Sequence, residues 1–295
     1  PLIILRITSF TLIGISTCQL GSFEKGFIHL KGVLNEEAVE KMLASTNKVI
    51  KEGKFGSSKN SNEFLGNHSN DVFNLLQAFE YTDGLDELLD YPGSFEVIKE
   101  VMGNYLQVSG FDIFVRNPTV QISNLNKFHT DGGPALQKIL LNSGIPPLLI
   151  KAQYFLTDLD NENSGNLMVV PGSHKKLVGY YNKNCLIHEC NDYVDKGKVP
   201  PDAIQIKVKK GDVVIHPWNV WHAVAKNNSE KTRISVSVRY SQIWCRPYYF
   251  NVSEPVLKRL TIRQKRLLGW VGENATPSYY YTPPNQEEIM SEKYA

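Results

Sequence analysis

From about residue 105 onward, short apolar runs recur between clusters of Gly, Pro, Asn and Asp: "GFDIFVRNP", "LLIKAQYFL", "NLMVVPG", "AIQIKVKKGD", "VVIHPW" and "RISVSVRYS". In the last of these, Ile234, Val236 and Val238 are separated by serines, the period-2 signature of a half-buried strand. Many short strands with turn signals between them predict a β-sandwich or barrel. The earlier part of the chain has a different rhythm. "FEKGFIHLKGVLNEEAVEKMLASTNKVI" (23–50) reads as a strand, a turn and a helix, with Asn35 as N-cap and Glu36 and Glu37 in the first turn, where the helix dipole favours acids. Residues 57–72, rich in Ser, Asn and Gly, predict a mobile loop. Further helices are expected at 94–103 and within 254–270, with the "TPPN" segment and the Tyr-rich end over the surface. No internal repeat or low-complexity linker offers a place to cut, so one domain over 1–295 is expected, mainly β with flanking helices and a β core at about 105–245.

Composition narrows the function without naming it. The 295 residues are 42% hydrophobic, enough for a sizeable core. Thirty-two basic residues against 30 acidic ones leave a net charge of +2, too small a field to suggest nucleic acid or a membrane surface as partner. The run "KVKKGD" (207–212) reads as a solvated strand edge. Cys18, Cys185, Cys190 and Cys245 form no CxxC pair, which favours a reducing compartment over a disulfide framework or a zinc finger. "PLIILRITSFTLIGIS" is broken by Arg6 and falls short of the ~18 apolar residues of a membrane span. It reads as a strand, and the expected location is cytoplasmic.

Chemistry enters with "HTDGG" (129–133). His129 and Asp131 stand at i and i+2, so on a strand end both project to the same side. A third ligand is needed, and His222 supplies it from a different apolar strand. Two imidazoles and one carboxylate on one face of an octahedron hold Fe(II) and leave three positions open for a cosubstrate and O2. Arg233 follows His222 at a His-x10-Arg spacing; its planar fork can grip the far carboxylate of 2-oxoglutarate. A zinc hydrolase could use the same three ligands, but it leaves Arg233 without a purpose and lacks an evident general base. A non-catalytic binding protein would not require all four residues. His174, in "PGSHK", reads as structural. His216 shares the strand parity of His222 and is placed towards the interior; Trp218 has the same parity and either lines a substrate pocket or packs in the core. His29, His68 and His188 carry no functional expectation.

Four segments, "FEKGFIHLKGVLNEEAVEKM", "FHTDGG", "ENSGNLMVVPGSHKK" (162–176) and "GDVVIHPWNVWHAVAKNNSEKTR", in that order, resemble the phytanoyl-CoA dioxygenase family of Fe(II)/2-oxoglutarate oxygenases. The resemblance implies a double-stranded β-helix (jelly roll, cupin-like) with iron inside one open end. It implies His129, Asp131 and His222 as ligands and Arg233 as the 2-oxoglutarate clamp, with Gln153 and Asn126 as further cosubstrate contacts. The chain departs from the pattern at Val224, where some members carry a hydroxyl, and in the longer stretch "GPALQKILLNSGIPPLL" (133–149), so the acyl-CoA substrate does not transfer. Asp131 favours hydroxylation over halogenation, which needs Gly or Ala there. The expectation is hydroxylation of an unactivated C–H bond of a small molecule in natural-product biosynthesis; an acyl-CoA or lipid 2-hydroxylase is the alternative.

Overall fold

The computed structural model describes residues 24–52, 72–118, 128–131, 147–175, 199–247 and 251–291. Nine strands are described: β1 (Ile28–Leu30), β2 (Val72–Leu75), β3 (Leu106–Arg116), β4 (Leu149–Phe155), β5 (Leu167–Val169), β6 (Ile204–Gln205), β7 (Val213–Pro217), β8 (His222–Val224) and β9 (Arg233–Gln242). They form an antiparallel six-stranded sheet in the order β1-β7-β4-β9-β3-β2 and a three-stranded sheet in the order β6-β5-β8. Phe155 and Val214 of the large sheet pack against Leu167 and Val169 of the small one, so the two sheets face each other. This is the jelly-roll, or double-stranded β-helix, arrangement expected from the sequence.

Helices cover the outer face of the large sheet. Helix α1 (Glu36–Glu52) starts as predicted: the Asn35 side-chain oxygen accepts from the Ala38 amide at 2.8 Å. Helix α2 (Ser94–Met102) ends at Gly103, whose φ of 79° stops the helix cheaply only for glycine. Val39, Met42, Phe95 and Ile98 of these helices join Ile113, Ile150, Tyr154, Ile234, Val236, Val238 and Tyr240 in the main core. The expected helix within 254–270 is two helices, α3 (Glu254–Arg259) and α4 (Ile262–Leu267). Thr261 breaks it: its hydroxyl accepts from the Gln264 amide while the Gln264 side chain accepts from the Thr261 amide, a capping box that starts a new helix. After α4, the one-turn helix α5 (Gln286–Ile289) leads to Met290, which is fully buried. The C-terminal stretch therefore lies only partly over the surface; Tyr281 is exposed as expected.

The strand β9 corrects one expectation. Its alternation is real, but its serines do not face water: Ser235, Ser237 and Ser241 are as buried as Ile234, Val236 and Val238. They line the space between the sheets. Strand β2 was not anticipated; apart from Val72, which opens it, the predicted mobile loop at 57–72 lies outside the described residues, as do Cys18, Cys185, Cys190 and the N-terminal apolar run. No helix among the described residues is long and apolar enough to cross a membrane.

Candidate metal and cosubstrate site

Ladder pairing fixes which side chains share the inner wall of the large sheet. At the level of Lys151 (β4) stand His216 (β7), Arg239 (β9) and Gly110 (β3); one level along come Val214, Gln153, Ser237 and Asp112. The next level holds Phe155, Ser235 and Phe114, and beyond it Arg233 faces Arg116. Hence the polar half of β9 and the matching residues of β4, β7 and β3 surround one interior.

The small sheet brings the ligands to this wall. The backbone of His129 pairs with that of His222, N–H to carbonyl in both directions at 3.0 and 3.1 Å, and the Asp131 amide donates to the Trp218 carbonyl at 2.9 Å. His129 Nε2 and His222 Nε2 lie 3.9 and 3.7 Å from Asp131 Oδ1. One ligand atom from each of the three residues lies within 4.8 Å of the others, a spread that suits one metal ion. The His129 side chain is half exposed, whereas those of His222 and Asp131 are buried to 4% and 12% exposure, so the cluster opens on the His129 side.

Protonation states suit a cation. Burial, and then His129, push His222 well below the usual imidazole range, so its ring is neutral. Its Nδ1 is 3.0 Å from the Val220 carbonyl, which can only accept; the proton therefore sits on Nδ1 and the Nε2 lone pair faces Asp131. Burial alone would raise the Asp131 pKa, but Lys151, His222 and His129 around it hold it well below the usual carboxylate range. Lys151 Nζ is 2.6 Å from Asp131 Oδ2, the other carboxylate oxygen, and 3.5 Å from His222 Nε2. The sequence reading missed Lys151; its signal was a lone cation inside the apolar run "LLIKAQYFL".

His216 packs its ring on that of His222 with centroids 4.7 Å apart. Burial lowers its pKa to about 4, and its Nδ1 donates to the Pro217 carbonyl at 3.1 Å. Trp218 is fully buried against Leu148 and Leu149, and its backbone carbonyl holds the Asp131 amide. His174 lies over Gly26, where a Cβ would stand 2.4 Å from the imidazole. Its carbonyl accepts from Asn219, and Ser173 Oγ accepts from the Trp221 amide, so the PGSH turn braces the approach to His222.

Arg233 is 1% exposed, and none of its guanidinium nitrogens finds a hydrogen-bond partner among the described residues. Its guanidinium carbon lies 5.6 Å from the Phe155 ring centroid. Burial, with Arg116 beside it, lowers its pKa to about 9, which still leaves it charged at neutral pH. Arg116 donates instead to Asn74 and to the Val115 carbonyl. A buried, unpaired guanidinium is costly unless an anion completes it. Two imidazoles and a carboxylate fit a divalent metal, and Arg233 fits a carboxylate of its cosubstrate. Gln153 is on this wall, donating to Ser235 Oγ at 3.0 Å; Asn126 lies outside the described residues.

A jelly roll with a two-histidine, one-carboxylate cluster facing a wall that carries a buried arginine is the architecture of the Fe(II)/2-oxoglutarate-dependent oxygenases. Residues 23–235 match the family model for phytanoyl-CoA dioxygenase (PhyH), and the chain belongs to that family. An uncharacterised protein of Mycobacterium tuberculosis is 22% identical over 55% of this chain, which spans about half (52%) of that relative's length. The dioxygenase olcK of Penicillium canescens is 21% identical over 84% of this chain and 78% of its own. Among solved structures, the non-haem α-ketoglutarate-dependent carbocyclase SnoK from nogalamycin biosynthesis superposes with a TM-score of 0.58 at 23% identity, covering 84% of this chain and 92% of that one. HygX from Streptomyces hygroscopicus, with nickel, 2-oxoglutarate and hygromycin B bound, gives 0.58 at 17% identity, covering 80% and 89%. At these identities the likeness to solved structures is one of fold.

Proposed function

We propose that this protein is an Fe(II)/2-oxoglutarate-dependent dioxygenase that hydroxylates an unactivated C–H bond of a small molecule, as a tailoring step in natural-product biosynthesis. His129 Nε2, Asp131 Oδ1 and His222 Nε2 hold the iron, and Arg233 receives the far carboxylate of 2-oxoglutarate. The observation that carries this reading is Arg233, fully buried and unpaired among the described residues on the wall that faces the histidine and aspartate cluster. When bound, Fe(II) and 2-oxoglutarate supply the oxidising power, with O2 consumed and 2-oxoglutarate converted to succinate and CO2.

The chain's own residues do the rest. The Val220 carbonyl accepts from His222 Nδ1 and so fixes the tautomer, which leaves the Nε2 lone pair for the metal. Lys151 occupies Asp131 Oδ2 and leaves Oδ1 for the metal. Phe155, Val214, Leu167 and Val169 close the space between the sheets to water, which strengthens the Arg233–carboxylate attraction. Olefinic or ring-forming oxidations would use the same groups, but the intact Asp131 argues for oxygen rather than halogen transfer. SnoK and HygX, similar in fold, come from or bind natural products, and this supports the substrate class. The test is anaerobic titration of metal-free protein with Fe(II) and then 2-oxoglutarate. A weak visible charge-transfer band is expected, absent in His222→Ala and weakened in Arg233→Ala. Tight Fe(II) binding with no band on adding 2-oxoglutarate overturns the reading.

A further inference from the structure

We propose that the substrate carries a carboxylate and that Lys151, assisted by Arg239, receives it beside the metal. The inference rests on the function proposed above and narrows its substrate class. Its starting point is a charge imbalance on the inner wall. Asp131 is the only Asp or Glu in the sequence between Arg116 and Asp158, a stretch that also carries Lys127, Lys138 and Lys151. The carboxylate of Asp112, on the same wall, is gripped by Arg239 Nη2 at 2.5 Å. The wall makes room for that guanidinium: a Cβ on Gly110 would stand 2.5 Å from two of its nitrogens.

Among the described residues, Asp131 is the carboxylate that pairs with Lys151, and it is also the one proposed to hold the metal. A divalent cation on Asp131 and a dianionic oxoacid on Arg233 balance one another in charge. Lys151, whose side chain is only 12% exposed, is then a cation next to a metal with no counter-charge of its own. An anion that joins it offsets the cost of holding that charge beside the metal.

Uncharged donors on the same wall point the same way. Ser241 stands across from Leu149, one ladder level from Lys151 and Arg239, and Trp218 packs on Leu149 from the other side. The Ser241 and Ser237 hydroxyls and the Trp218 indole nitrogen are buried, and none has a hydrogen-bond partner among the described residues. Lysine, arginine and indole donate and never accept, and a hydroxyl can donate. A ligand group made only of acceptors satisfies them, and a carboxylate is the smallest such group that also brings the missing charge. Leu148, Leu149 and Trp218 offer apolar contact to the rest of the molecule.

The test uses Mn(II)-loaded protein saturated with 2-oxoglutarate, which fills the Arg233 site without allowing turnover. Binding of matched acid and amide pairs (benzoate and benzamide, indole-3-acetate and indole-3-acetamide, hexanoate and hexanamide) is read by ligand-observed NMR. At least one acid is expected to bind tenfold or more tightly than its amide. Lys151→Gln should abolish that ratio and Arg239→Gln should reduce it, each read at Mn(II) and 2-oxoglutarate concentrations that calorimetry shows to saturate that variant. The proposal is overturned if the wild type prefers no acid, or if the ratio survives Lys151→Gln. It is also overturned if Lys151→Gln weakens 2-oxoglutarate tenfold and leaves the ratio intact, which gives Lys151 to the cosubstrate. Should Lys151→Gln not fold, the wild-type ratio and Arg239→Gln carry the test. Failure of the function itself shows separately, as Mn(II)-loaded wild type that binds no 2-oxoglutarate.

Discussion

His216 and His222 are histidines that the interior keeps neutral, and the consequence is a pH dependence with a definite sign. Burial lowers His216 to about 4 and holds His222 well below its ordinary value. A base whose folded pKa is depressed binds its proton more readily in the unfolded chain, so its contribution is intact above the unfolded value and is lost as pH falls through the folded one. Metal-free protein should therefore lose stability between about pH 6.5 and pH 4. The His216 part alone is about 3 kcal/mol on the usual conversion of pKa shift to free energy. Thermal melts across that range should show it, and His216→Gln should flatten the profile. Arg233 is the residue with the sharpest ligand prediction. Arg233→Gln should weaken 2-oxoglutarate by about 2–5 kcal/mol, the cost of removing one partner of a buried charge pair, with metal affinity unchanged by calorimetry. Loss of both affinities together would show that Arg233 is structural.

At the scale of elements, turns and caps place these residues. Gly165, in the turn before β5, has φ of 81°, and a Cβ there would stand 3.2 Å from Arg233 Cδ and 3.3 Å from its Cβ. Gly165→Ala should cost about 1–2 kcal/mol for the left-handed backbone, and it should also weaken 2-oxoglutarate by shifting Arg233. Chemical denaturation and cosubstrate titration on one preparation separate the two effects. Thr261 starts α4, which carries the buried Arg263 and Arg266 that tie to the Ile289, Ser291 and Pro284 carbonyls. Thr261→Ala should lower stability by about 1 kcal/mol, typical for a lost cap, and leave both ligand affinities alone. The sequence marked the cap at Asn35 because an Asn before two acids and an apolar stripe has few other uses. It hid the one at Thr261 because the apolar spacing runs on through the break.

For the whole molecule, ligands that bind only the folded state should raise its melting temperature. Metal at a hundredfold excess over its Kd stabilises by about 2.7 kcal/mol; for a chain of this size that is roughly 5–10 °C. A chelator should reverse the rise, and 2-oxoglutarate should add a second increment that Arg233→Gln lacks. The sequence by itself determined the strand-rich half and the helical opening, and it singled out the four residues proposed to hold a metal and a dicarboxylate: His129, Asp131, His222 and Arg233. Those were legible because local rules act on near neighbours: an i, i+2 pair shares a strand face, and period-2 alternation names one. Which residues meet across strands was not legible, since register is set by pairing between segments distant in sequence. Only the tertiary structure turned the serine face of β9 inward rather than to water, set Lys151 against Asp131, laid Arg239 over Gly110, and left the Arg233 guanidinium unpaired among the described residues. Burial and electrostatics belong to the surroundings a fold assembles, and these surroundings made a lone lysine in an apolar strand a neighbour of the His129, Asp131 and His222 cluster.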